Sequence, residues 1–239
     1  MSGPRKKVGS RSQLVVGGRD KPLGQQELER LACQMYSETF KLLEEPELKE
    51  VAKHRVTAMY GPPMVRPDLA LVSFQGGAGD DSPSGKRWPK KLLYLDDDFR
   101  FGEALRSQFA LAEMSETLER RTVAMAACFP EAPQSEANSW MRKTGPKAEW
   151  REFSVAWVRQ MVAAMRPQVV LVFGKKASEA MGLEGEWRDE ERDSSRGWRG
   201  FGRTEIEGCP ALYCQHLSQG WDGDYVQLSL REAGRLIRA

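Results

Sequence analysis

Apolar residues recur at helical spacing from Gln25 to Leu43, where Leu28, Leu31, Met35 and Leu42 share one face, so the pattern predicts an opening helix. Pro46 is placed to start a second short helix running to about Lys53. The proline-stiffened run "YGPPMVRPD" then leads into Leu69–Phe74, a short apolar stretch that reads as a buried strand. Residues Gly102–Met114 regain helical spacing through Ala104, Leu105, Phe109 and Leu111, and Thr122–Cys128 reads as a second strand. Trp150–Met165 is the clearest amphipathic helix, with Val155, Val158, Val162 and Met165 along one stripe. Pro167 stops it, Val169–Phe173 forms a third buried strand, and Gly174 opens a helix through Met181. The charged, glycine-punctuated segment Glu184–Arg203 reads as a surface excursion. A last strand at Ala211–Cys214 and a helix at Tyr225–Arg238 close the chain. Apolar strands alternating with helices predict an α/β layer fold around a central, mostly parallel sheet.

Composition bounds that picture without redirecting it. With 239 residues, 40% hydrophobic and 29% charged, the chain is long enough for one sizeable core. Residues 1–22, rich in Gly, Ser, Lys and Arg, are expected to be a flexible basic tail, and 23–239 one domain. No apolar run reaches the ~18 residues a membrane span needs, and the N-terminus lacks the apolar core of a secretory signal. A cytoplasmic monomer with no membrane partner is therefore expected. The four cysteines, Cys33, Cys128, Cys209 and Cys214, form no CxxC pair and read as buried reduced thiols rather than a metal site. A net charge of +2 leaves nucleic acid open as a partner, since a local basic face would suffice.

The informative chemistry lies at three predicted strand ends: "SFQGGAGDD", "ACFPEAPQSEAN" and "QHLSQGW". In open α/β sheets, ligands bind beyond the carboxyl ends of the strands, so these loops converge on one candidate site. The glycine loop alone suggests a phosphate cradle, but no Walker lysine follows it and no G-x-G-x-x-G opens a helix there.

Taken in order, these segments resemble the uracil-DNA glycosylase superfamily over roughly Tyr60 to Trp221. "RPDLALVSF" precedes a loop that in the family reads G-[EQ]-x-P. "AMAACFPEAP" stands for the family's "NVVKCRPP", and "RPQVVLVFGKKASEA" for P-x-V-V-V-x-G-x-x-A. "QHLSQGW" stands for its H-P-S motif. The resemblance implies a three-layer α/β/α fold with a central four-stranded, mostly parallel sheet. It also implies an enzyme that flips a base out of DNA and hydrolyses the N-glycosidic bond, with no cofactor. That transition state is oxocarbenium-like, so the site needs a donor aimed at the departing base, a placed water and a stacking surface.

By resemblance His216 is the donor and Ser218 a phosphate contact, with Leu217 where the family carries proline. Gln75 matches the Glu/Gln of the first motif and could bond a base edge or place the water. Gly76 and Gly77 would admit the flipped nucleotide, and Asp80 or Asp81 could activate the water. Trp88, Phe129 and Asn138 are the remaining candidates for the base pocket, Trp88 by stacking. Lys86, Arg87, Lys90 and Lys91, then Arg142, Lys143 and Lys147, with Trp221 beyond them, are candidates for DNA contact. "SRGWRGFGR", with Trp198 and Phe201, suits DNA contact or wedge insertion as well as a decorated loop.

Three departures shape the expected substrate. Only Cys128 falls where the iron–sulfur branch has a cysteine, so no cluster is expected. Ala124 stands where relatives have the Asn that opens "NVVKC", which argues against uracil unless Asn138 substitutes. Gly77 replaces the first motif's proline, leaving a smaller wall that could admit a bulkier base. The expectation is a monofunctional glycosylase for a modified base, such as a hypermodified pyrimidine of phage DNA in a defence role. Uracil or thymine excision repair is the alternative enzyme, and a non-catalytic DNA-binding module the alternative class.

Overall fold

The computed structural model describes residues 23–48, 53–75, 87–95, 100–131, 134–183, 187–193, 197–217 and 224–239. The proposed tail at 1–22 lies outside them. In chain order the elements are α1 (Gln25–Leu42), β1 (Arg55–Val56), β2 (Leu69–Ser73), α2 (Arg100–Leu111), α3 (Ser115–Arg120), β3 (Thr122–Ala126) and β4 (Pro130–Glu131). They continue with α4 (Pro146–Met165), β5 (Val169–Phe173), α5 (Lys175–Ala180), β6 (Trp187–Asp193), β7 (Gly197–Ile206), β8 (Cys209–Cys214) and α6 (Asp224–Arg238).

β2, β3 and β5 are buried at every position, because helices cover both faces of the sheet they form. Strand order is β3-β2-β5-β8-β7-β6; the first four run parallel, and β7 and β6 add on antiparallel. The α/β class and mostly parallel sheet agree with the sequence, but the sheet has six strands among the described residues rather than four. The two extra strands are the segment expected to be a surface excursion. β6, with the sequence WRDEERD, is an edge strand, where charged residues discourage pairing with other chains. That composition is what conceals it from an apolar-periodicity reading.

The opposite edge is covered as well. Residues 55–60 run antiparallel beside β3 and its extension: the Tyr60 N–H donates to Ala124 O, Ala126 N–H to Ala58 O, and Thr57 N–H to Phe129 O. β1 then pairs with β4, Arg55 opposite Glu131 and Val56 opposite Pro130.

One helical layer contains α1, α4 and α5; the other contains α2, α3 and α6, with α6 against β5, β7 and β8. The step from β2 to β3 passes through α2 and α3, and the return step from β3 to β5 through α4 on the opposite face. Right-handed crossovers require that alternation. α4 begins earlier than its apolar stripe suggests, because Pro146 at the first helical position is pre-set for a helix start.

The amino ends of the parallel strands are tied by one carboxylate. Asp68 Oδ1 accepts from Arg121 Nε and Nη2, at 3.2 and 3.1 Å, and from Gln168 Nε2 at 2.9 Å. The Arg-Pro pairs ahead of β2 and β5 are built alike, with Arg66 and Arg166 both left-handed, at φ 49° and 52°. The Pro-Asp before β2 is therefore a structural tie at the end of the sheet away from the candidate site. Among the described residues no helix is long and apolar enough to cross a membrane.

Candidate functional site

Because β2 connects outward to β3 while β5 connects the other way to β8, the chain changes direction between β2 and β5. A crevice opens at such a switch point, beyond the carboxyl ends of the two strands. Gln75 stands just past β2 and His216 just past β8. They are two strand spacings apart, roughly 10 Å in the sheet direction.

Gln75 is half-buried, and its Nε2 donates to Pro130 O at 2.8 Å and lies 3.7 Å from Cys128 Sγ. Burial pushes the Cys128 thiol up to about 12, so it stays protonated against the Gln75 amide. His216 is half-buried between the Phe101 ring, 5.1 Å away at 35°, and the backbone of Gly174. Desolvation lowers its pKa to about 4, so the imidazole is neutral at physiological pH. Gly174 makes this seat possible: its backbone, at φ 90° and ψ 151°, is a glycine conformation, and its N–H donates to Cys214 O at 2.7 Å.

A row of rings links the strand ends. Tyr60, beside β3, stacks on Tyr94 at 5.2 Å; Tyr94 meets Phe101 edge-on at 5.1 Å; Phe101 touches both His216 and Phe173. This row crosses the parallel strands from the β3 side to β8.

Beside its β3 end lies Glu131, a buried acid only 3% exposed. Burial raises its pKa, opposed by nearby Thr57 and Arg55, whose Nε is 3.8 Å from Glu131 Oε2. Neither Arg55 Nε nor Glu131 Oε2 forms a hydrogen bond, and Thr57 Oγ1, Tyr60 Oη and Ser73 Oγ are buried nearby without one.

The other sequence candidates are dispersed. The Phe129 ring is fully buried against Phe153, and its N–H donates to Ser154 Oγ, so it belongs to the core rather than to a base pocket. Trp88 is half-buried against Tyr36 of α1, with the Arg87 guanidinium 4.8 Å from its ring. Asn138 is exposed at the start of a 3-10 turn, Ser139–Met141. Arg142 and Lys143 are exposed, and Lys143 lines a groove of about 810 Å³ between α4 and α5. Lys147 is committed to Glu136 at 2.7 Å and Ser139 Oγ at 2.8 Å, so it pins a loop rather than awaiting a phosphate. Gly76, Gly77, Asp80, Asp81, Lys86, Ser218 and Trp221 lie outside the described residues, as does the side chain of Trp198. Phe201 is part of β7, opposite Cys214, not of an irregular loop.

Tyr60, Tyr94, Phe101, Gly174 and Glu131 form the surroundings of the site, and sequence reasoning gave none of them a role in it. Glu131 alone carried a signal: a single acid between two prolines, immediately after a buried strand. Among the described residues no group of three or more His, Cys, Asp or Glu side chains could hold a metal ion. No family model matches the chain, and no curated protein is significantly similar to it.

Proposed function

We propose that the protein is a monofunctional DNA glycosylase acting on a modified base, with its site at the switch point between β2 and β5. The observation that carries this reading is that a neutral, desolvated His216 just past β8 and an anchored Gln75 just past β2 stand at the same end of the sheet. When a glycosidic bond breaks, negative charge grows on the leaving base. A neutral imidazole can donate an N–H to that base without first being protonated. Gln75 can hold a water or a base edge but cannot take up a proton, so the proton of the attacking water goes to another group. Asp80 and Asp81 follow Gln75 closely in sequence and are the candidates for that step.

The test is to incubate the protein with DNA carrying uracil, oxidised, alkylated, hydroxymethylated or glucosylated bases, then cleave abasic sites with alkali. Strand breaks on one modified substrate, lost in His216→Ala, are expected. Equal breakage by wild type and variant on every substrate would rule the site out.

The burial of Glu131 favours a second reading, in which the chain binds DNA without cutting it. At 3% exposure that carboxylate is withdrawn from solvent. Salt-dependent DNA binding with no abasic sites on any substrate is its signature.

A further inference from the structure

Gln75 has an amide of defined polarity. An amide offers two N–H donors on nitrogen and an acceptor on oxygen. Here the nitrogen faces Pro130 O at 2.8 Å and Cys128 Sγ at 3.7 Å, so its donors point back into the protein. The reverse orientation would set the amide oxygen against the Pro130 carbonyl oxygen, two acceptors with no proton between them. Oε1 is what the side chain has left to offer a ligand.

That polarity depends on where Pro130 sits. Pro130 belongs to β4, two residues long and paired only with β1. A strand that short specifies its own register weakly, and a slip of one residue would move the Pro130 carbonyl away from Gln75. The adjacent Arg55–Glu131 pair spans the same two strands, opposite one another in the register, at 3.8 Å. Glu131 is buried while Arg55 is about a quarter exposed, and their nearest atoms form no direct hydrogen bond, so the pair by itself is a weak fastener of the two strands. What charge adds is a single preferred alignment.

We infer that Gln75 is a specificity-determining acceptor that selects a base bearing an amino N–H, and that Glu131 and Arg55 are positioning residues acting on it through the Pro130 carbonyl. This rests on the switch-point crevice being the base site. It narrows the substrate to amino-bearing bases of the cytosine or adenine type, whose exocyclic N–H can meet Oε1.

The experiment uses the full chain and two single-stranded oligonucleotides of one sequence, carrying at one position cytosine or 2-pyrimidinone, the same ring without its amino group. Binding is read by fluorescence anisotropy. Wild type is expected to prefer the cytosine oligonucleotide by about fivefold, the worth of one hydrogen bond. Gln75→Met should bring the ratio to about one. Glu131→Gln should reduce the ratio without weakening the 2-pyrimidinone complex, whereas a merely structural role would weaken both alike. If Glu131→Gln fails to fold, Arg55→Lys, which keeps the charge but not the guanidinium, is read in the same way. A wild-type ratio near one, or a preference that survives Gln75→Met, overturns the inference. A preserved amino preference with no abasic sites on any substrate would instead remove the glycosylase reading and leave this one standing.

Discussion

Gly174 lies so close to His216 that a methyl group on its Cα would stand 3.1 Å from His216 Cβ and 3.4 Å from Cδ2. The same glycine adopts φ 90° and ψ 151°, a conformation L side chains rarely reach. Gly174→Ala therefore meets both strain and a clash. A loss of about 1–3 kcal/mol is expected, read as a lower urea midpoint. The His216 ring resonances in NMR should move with it, because the imidazole must leave its seat.

His216 itself should titrate abnormally. It holds its neutral form to about pH 4 in the folded chain, against 6.5 when unperturbed. Between those values the unfolded chain binds the extra proton, so stability falls as pH drops from 6.5 through 4, by up to about 3 kcal/mol. The difference in unfolding free energy between wild type and His216→Gln, measured from pH 7 to pH 4, isolates this contribution. Phe101→Ala, which opens one side of the ring, should move the NMR-detected pKa back toward 6.5. A wild-type His216 titrating near 6.5 would mean the site is hydrated and the imidazole charged in mild acid.

The cysteines offer a check on the core. Cys33 is exposed, whereas Cys128, Cys209 and Cys214 are buried, and burial raises all three of those thiols. A thiol reagent reacts with the thiolate, so native protein at pH 8 should show one fast-reacting thiol and denatured protein four. Cys33→Ser should remove the fast phase. A second fast thiol would show that β8 or the end of β3 is open.

Gly202 and Tyr213 face each other across β7 and β8, and a methyl at Gly202 would fall 2.1 Å from Tyr213 Cζ. Tyr213 is fully buried, so its ring has no free space to move into. Gly202→Ala should lower stability by at least ~2 kcal/mol by thermal unfolding, within the range of overpacked cores. If β7 were instead the surface excursion read from sequence, the substitution would be close to neutral.

The four parallel strands are legible because each is a short, continuous apolar run, the signature of a strand covered on both faces. β5 falls on its expected residues, Val169 to Phe173. β6 and β7 are not legible, since an edge strand is free to be charged and glycine can mark the close approach of a neighbouring ring. Gln75 and His216 stand just past β2 and β8, positions legible in the sequence because both strands are recognisable apolar runs. Phe129 shows the limit: one residue beyond a strand end, sequence alone does not tell whether a ring turns inward or outward. The setting of Glu131 is not legible in the sequence, since Arg55, Thr57 and Tyr60 reach it only through the antiparallel pairing of residues 55–60 with β3 and β4.

The sequence by itself determined the α/β class and the four apolar parallel strands. Those follow from local periodicity, where each residue's polarity answers to its own element. Tertiary structure decided the sheet's two added strands, the neutral state of His216, the polarity of Gln75 and the burial of Glu131. Each of these depends on desolvation or hydrogen bonding by a partner distant in the chain, and no spacing along a single element encodes it.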